Sequence, residues 1–237
     1  MHELVQDIQH SLERVKDPNR VEQMEAYMKN NFSFLGVMSG PRKEIFQKHK
    51  AQLLQLKPSA SWEFIYECWA NQYREVQYIA IDFLLANYKK IAQPSDGSAL
   101  TFILSNQTWW DSLDLVASHS VGHFATKFPE EFTALAKEWE DSEHFWLHRT
   151  LIIHQLKYKQ KTNLDLLQYY IRTFKSNKDG SADPLSAALI EKGINGTCIT
   201  NIIPSNLHVF TRLKGRNSYS TEDYNLQQNT FNQLLNQ

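Results

Sequence analysis

The sequence predicts an all-α chain of stacked helical hairpins. Three observations carry that prediction. Apolar residues recur at three- and four-residue spacing through most of the first 175 positions, strand signals there are sparse, and the connectors between periodic stretches are short. With 237 residues, 42% of them hydrophobic, the chain is long enough to bury a sizeable core as one domain or a small array of repeats.

Leu4, Ile8, Leu12 and Val15 fall at helical spacing, so a first amphipathic helix is expected over 3–16, stopping near Pro18. A second should cover 21–30. The apolar stretch 32–37, FSFLGV, is broken by Gly36, and Ser39-Gly40-Pro41 then turns into a helix carrying Arg42, Lys43, Lys48 and Lys50. Pro58 and Ser61 mark another start, followed by helices over 62–69 and 74–90 that end at Pro94-Ser95-Asp96-Gly97. Further helices are expected over 99–106, 109–127, 129–139, 142–157 and 164–174. Beyond Lys178 the residues change character: Asn, Ser and Thr dominate, Trp is missing, and KGINGTCITNIIPSNLHVF reads as loop and strand. The expected division is therefore a helical repeat domain over 1–178 and a divergent segment over 179–237.

An internal echo supports the repeat reading. NQYREVQYIAIDFLL around Arg74 and EHFWLHRTLIIHQLK around Arg149 share an acid or amide, an aromatic, an arginine and a long apolar helix. The two arginines are 75 residues apart, close to two units of the roughly 40-residue period of HEAT-like repeats.

Composition removes several classes of function. A formal net charge of -1 excludes a bulk polycation that coats nucleic acid, so any such contact must come from a local basic patch. Cys68 and Cys198 are isolated thiols without CxxC spacing, which argues against a disulfide scaffold or a cysteine zinc site and favours a reducing cytoplasm. The first residues, MHELVQDIQHSLERV, carry acids and lack the apolar core of a secretory signal. No window approaches the roughly 18 apolar residues of a membrane span.

The chemistry concentrates in 108–122, TWWDSLDLVASHSVG. Trp110 and Asp114 are four apart and share a helical face. An aromatic face beside an anion can hold a flat cation. Between Phe145 and Lys178 stand seven basic residues, Arg149, Lys157, Lys159, Lys161, Arg172, Lys175 and Lys178, against the single acid Asp165. With the Arg42–Lys50 cluster, that surplus is the best candidate for contact with a phosphate backbone. Arg149 and Lys157 lie two turns apart on an otherwise apolar helix.

Histidines offer a rival reading. His119 and His123, and likewise His144 and His148, are four apart as metal ligands on one helix face often are, and Asp111 or Asp114 could complete a set. HSVGH, however, lacks the glutamate of HExxH, so no metal is expected. Nothing matches a phosphate-binding glycine loop, a GxSxG elbow or a dinucleotide fingerprint.

AYMKNNFSFLGV (26–37) with GPRK (40–43), TWWDSLD (108–114) and WLHRTLIIHQLKYKQKT (146–162) resemble the bacterial DNA alkylation repair enzymes of the AlkD type. That resemblance implies HEAT-like helical repeats stacked into a curved solenoid with a concave basic face that cradles DNA. It further implies a glycosylase releasing cationic N3- or N7-alkylated purines from duplex DNA, acting as a monomer without a cofactor. Trp110, Asp114 and Arg149 are the implied catalytic residues, with Arg149 also holding the adjacent backbone. Tyr27, Arg42, Lys43, Lys48, Lys157, Lys159 and Lys161 are the expected DNA-binding residues. Register and resemblance together select Trp110 and Asp114 as the outward pair and leave Trp109 and Asp111 for packing and helix start. The resemblance ends near Lys178, and 179–237 show no counterpart of the family's further aromatic-bearing helix. The alternative is a non-catalytic HEAT-like scaffold that binds damaged or branched DNA.

Overall fold

The computed structural model describes residues 1–174, and the helices found there begin and end for local chemical reasons. The chain forms two compact units, Met1–Lys157 and Tyr158–Gln237. In the first unit, α1 (His2–Glu13) buries the stripe Val5, Ile8 and Leu12. Helix α2 (Pro18–Tyr27) starts earlier than the apolar pattern suggests. Asp17 caps it by accepting the Asn19 N–H, and Pro18 fills a first-turn position where no N–H is needed. It also stops earlier, because Lys29 and Asn30 turn to φ of 54° and 58°.

The apolar stretch that follows is extended, with Phe34, Leu35 and Val37 buried. Gly36 makes it possible: its φ is +82°, and a Cβ there would stand 2.1 Å from the carbonyl oxygen of Asp17. Helix α3 (Ser39–Leu53) leads to α4 (Pro58–Trp69), which again has proline in its first turn. Helix α5 (Arg74–Ile91) buries 12 of its 18 residues, more than one face can account for. Helices α1, α3 and α4 all pack on it.

After α6 (Gly97–Ser105), the helix expected over 109–127 forms as one run with a widened middle: α7 (Trp110–Val116), a π turn (Ala117–Val121) and α8 (Gly122–Lys127). Helix α9 (Pro129–Asp141) precedes α10 (Phe145–Ile153), which tightens into a 3-10 turn over His154–Lys157. Helix α7 and the π turn also pack on α5.

Polar anchors tie successive helix pairs at a regular spacing. The indole N–H groups of Trp62, Trp69 and Trp139 donate to Asp96 Oδ1, Asn106 O and Thr101 Oγ1, each at 2.8 Å and across 34, 37 and 38 residues. That spacing is one helical repeat to the next, so each unit is pinned to its neighbour by a buried bond as well as by apolar burial. Among the described residues, β pairing is a single parallel bridge between Ser33 and Tyr73, and no helix is long and apolar enough to cross a membrane.

The described part of the second unit holds a 3-10 turn (Lys159–Lys161) and α11 (Leu164–Phe174), in which Leu167 and Tyr170 are buried. The division expected at 178, the divergent segment 179–237 and Lys175, Lys178 and Cys198 lie outside the described residues.

Candidate active site

Two carboxylates on α7 are each held by an arginine from a different helix. Asp111, at the start of α7, is buried and accepts from Arg74 Nη2 at 2.7 Å and Nε at 3.3 Å. Arg74 is itself wholly buried, at 0% exposure, so its charge must be met inside the fold. It is: Gln77 Oε1, Gln107 O and Ser112 Oγ accept from it at 2.5, 2.6 and 2.8 Å, and its guanidinium lies 3.8 Å over the Phe32 ring. The neighbouring Glu75 carboxylate accepts the backbone N–H groups of Leu35 and Val37 at 3.0–3.1 Å. Burial still raises its pKa above the usual range, against the lowering effect of those N–H donors. Arg74 and Glu75 thus fix the first turn of α5 to α7 on one side and to the 32–37 stretch on the other.

Asp114, one turn further along α7, is half-buried and meets Arg149 of α10 through two parallel bonds, Nε to Oδ1 and Nη2 to Oδ2, both 2.9 Å. The fork occupies one lone pair on each oxygen and leaves the others for a water or a cation. Trp110 stands one turn before Asp114. The ring of Tyr27, from the end of α2, meets the Trp110 ring edge-on at 5.7 Å and 81°. Tyr27 is 51% exposed, so its ring is within reach of a ligand. Burial, then the charge on Asp111, raises the Tyr27 phenol pKa, which keeps its hydroxyl a neutral donor.

The structure therefore brings together four of the residues singled out in the sequence: Tyr27, Trp110, Asp114 and Arg149. Arg42 is engaged elsewhere, with its Nε 3.3 Å from Asp82 Oδ2 and its guanidinium 4.7 Å over the Tyr78 ring. Burial, then the charge on Asp111, raises the Tyr78 phenol pKa. Lys43, Lys48 and Lys157 are exposed on the first unit, and Lys159 and Lys161 are exposed on the 3-10 turn of the second. Trp109 packs on Trp146 at 5.5 Å, and Asp111 serves the helix start.

The paired histidines have separate surroundings: His119 Nδ1 bonds Leu115 O, His123 meets the Tyr88 ring edge-on, and His148 Nε2 bonds Ser142 O. Among the described residues no group of three or more His, Cys, Asp or Glu is placed to hold a metal ion. Sequence reasoning missed Arg74, Glu75, Tyr78 and Asp82. One signal was there, because the echo around Arg74 and Arg149 marks the two arginines that converge on α7, Arg74 from 37 residues before Asp111 and Arg149 from 35 after Asp114.

An all-helical repeat fold with an aromatic, carboxylate and arginine site defines a class, and the comparisons with known proteins place the chain within it. The family model for DNA alkylation repair enzymes matches residues 8–181, and the chain belongs to that family, in line with the AlkD-type motifs. A solved structure described as a "Predicted DNA alkylation repair enzyme from Enterococcus faecalis" is similar, with a TM-score of 0.65 and 22% identity over 80% of this chain and 89% of that one. At that identity the likeness bears on the fold. No curated protein matches the chain. Family membership supports a role in the repair of alkylated DNA, with DNA as the substrate.

Proposed function

We propose that this protein is a DNA glycosylase releasing cationic N3- or N7-alkylated purines from duplex DNA. The observation that carries the reading is the Asp114 carboxylate, fixed by the Arg149 fork one turn from the Tyr27–Trp110 ring pair. Alkylation at N3 or N7 makes the purine positive, so the base already leaves well and needs little protonation. The remaining demand is to stabilise the sugar as positive charge develops on it and to deliver a water. Asp114 serves both needs: it supplies negative charge where the oxocarbenium-like centre forms, and its remaining lone pairs accept from the attacking water. Arg149 holds the carboxylate in one orientation, so little reorganisation is needed during reaction. The Trp110 face and the neutral Tyr27 hydroxyl meet the cationic lesion and its sugar. Lys43, Lys48 and Lys157 of the first unit, and Lys159 and Lys161 of the second, supply contacts to the phosphate backbone, whereas Arg42 is held against Asp82 and Tyr78.

The test is to incubate duplex DNA bearing 7-methylguanine with the protein and quantify the free base. Release by the wild type, at a rate well above spontaneous loss, is expected. Tight, salt-sensitive binding with no release would overturn the glycosylase and favour a DNA-binding scaffold instead.

A further inference from the structure

The π turn after α7 carries a group that the proposed chemistry does not use. His119 is exposed, and its Nδ1 lies 3.0 Å from the Leu115 carbonyl oxygen. A carbonyl only accepts, so Nδ1 carries the proton and Nε2 is the ring's remaining polar atom. The Ser118 hydroxyl beside it donates to Asp114 O at 2.6 Å, which ties the turn to the backbone of the Asp114 helix. π turns are uncommon insertions that recur at functional sites.

The charged groups that act on His119 are of one sign. From α5 comes Lys89 and from the 3-10 turn after α10 comes Lys157, and both act electrostatically on His119. Partial desolvation, then these two lysines, hold its imidazole below the usual histidine range. Of the other charged groups on the elements packed here, Lys90 of α5 is a further exposed cation, and several are already engaged. Asp114 and Arg149 bind each other, His123 of α8 lies against Tyr88, Lys127 donates to Ala92 O, and His154 is buried against Phe132. No carboxylate stands among the groups acting on His119.

We infer that His119, Lys89 and Lys157 form a phosphodiester subsite of the DNA-binding surface, and that the His119 imidazole takes up a proton from solvent when a backbone phosphate is seated there. This rests on the reading of the protein as a DNA-binding repair enzyme, but not on base release. A phosphate would offset the two lysine charges that disfavour the imidazolium, and Nε2 would change from acceptor to charged donor as it binds. DNA affinity then gains a component that grows as pH falls, up to about ten-fold for each unit by which the His119 pKa rises on binding.

The test follows the ring signals of His119 in histidine-labelled protein from pH 5.5 to 8, alone and with an undamaged duplex, alongside duplex affinity for the wild type, His119→Gln and His119→Arg. The expected result is an upward pKa shift for His119 on DNA binding. His119→Gln should flatten much of the pH dependence of affinity, and His119→Arg should bind with strength that no longer varies at this position. An unmoved His119 titration, or His119→Gln retaining the full pH dependence, would overturn the subsite. A shifted His119 in a protein that frees no 7-methylguanine would uphold the subsite and defeat the glycosylase instead. Robust release with an unmoved His119 would do the reverse.

Discussion

Asp111 and Asp114 lie one turn apart on α7, yet the fold treats them differently. Asp111 is sealed in the core against Arg74, whereas Asp114 is only half-buried with Arg149 and keeps lone pairs available. The first pair sets where the helix begins and the second sets what the helix presents. Removing one partner of the buried pair should therefore harm the fold, and changing the outer carboxylate should harm the chemistry.

Arg74→Met leaves the Asp111 charge buried without its partner, which typically costs about 3–5 kcal/mol. Urea denaturation should show that loss, and Arg74→Met combined with Asp111→Leu should recover part of it. A single variant as stable as the wild type would show that the Arg74–Asp111 pair does not anchor α7.

Gly36→Ala should be among the more damaging small substitutions. The new methyl group would meet the Asp17 carbonyl at 2.1 Å, on a backbone with positive φ. We expect a loss of about 2–4 kcal/mol in thermal or urea unfolding. Because Asp17 also caps α2, which ends at Tyr27, the variant should loosen Tyr27 as well, seen as faster tyrosine ring dynamics by NMR.

His154 makes stability depend on acid. Burial pushes its imidazole down to about 4, and its Nδ1–H donates to Leu151 O at 2.8 Å. The unfolded chain binds a proton on this ring below about pH 6.5, while the folded chain resists it. The contribution is thus complete above pH 6.5 and lost as pH falls towards 4, amounting to about 3 kcal/mol. His154→Leu should have a shallower decline in unfolding free energy between pH 6.5 and 4.5, by the share of one proton. An unchanged slope would mean that His154 is not held neutral.

Tyr27→Phe keeps the edge-on contact with Trp110 and loses only the hydroxyl, whereas Tyr27→Ala removes the ring. Edge-to-face pairs contribute about 0.5–1.5 kcal/mol. Base release should therefore fall by up to roughly ten-fold in Tyr27→Ala from the ring alone. A larger effect in Tyr27→Phe than in Tyr27→Ala would contradict the packing role.

Most of the fold was legible in the sequence because α1, α3, α4 and α9 follow simple apolar periods and proline or glycine punctuation. The ends of α2 were not, since a capping aspartate and two left-handed residues decide them and neither leaves a periodic trace. The interior of α5 was hidden for a related reason: a helix buried on several sides loses the one-sided pattern. At the site, Trp110 and Asp114 could be paired from spacing alone, and resemblance brought in Arg149 and Tyr27. The Arg74–Asp111 anchor was not found, because the echo marks Arg74 but nothing in the sequence points to a partner 37 residues away. Arg42, expected to meet phosphate, lies against Asp82 and Tyr78, an arrangement set by the packing of α3 on α5 that linear sequence does not disclose.

The central claim is that Asp114 supplies the charge that promotes loss of the alkylated base. The most direct measurement is single-turnover release of 7-methylguanine from duplex DNA by the wild type and by Asp114→Asn, with DNA affinity measured in parallel. Asparagine keeps the size of the side chain and removes its charge. The account predicts a fall in rate of about 100-fold or more with the helical structure and DNA binding retained. Equal release by Asp114→Asn would contradict it.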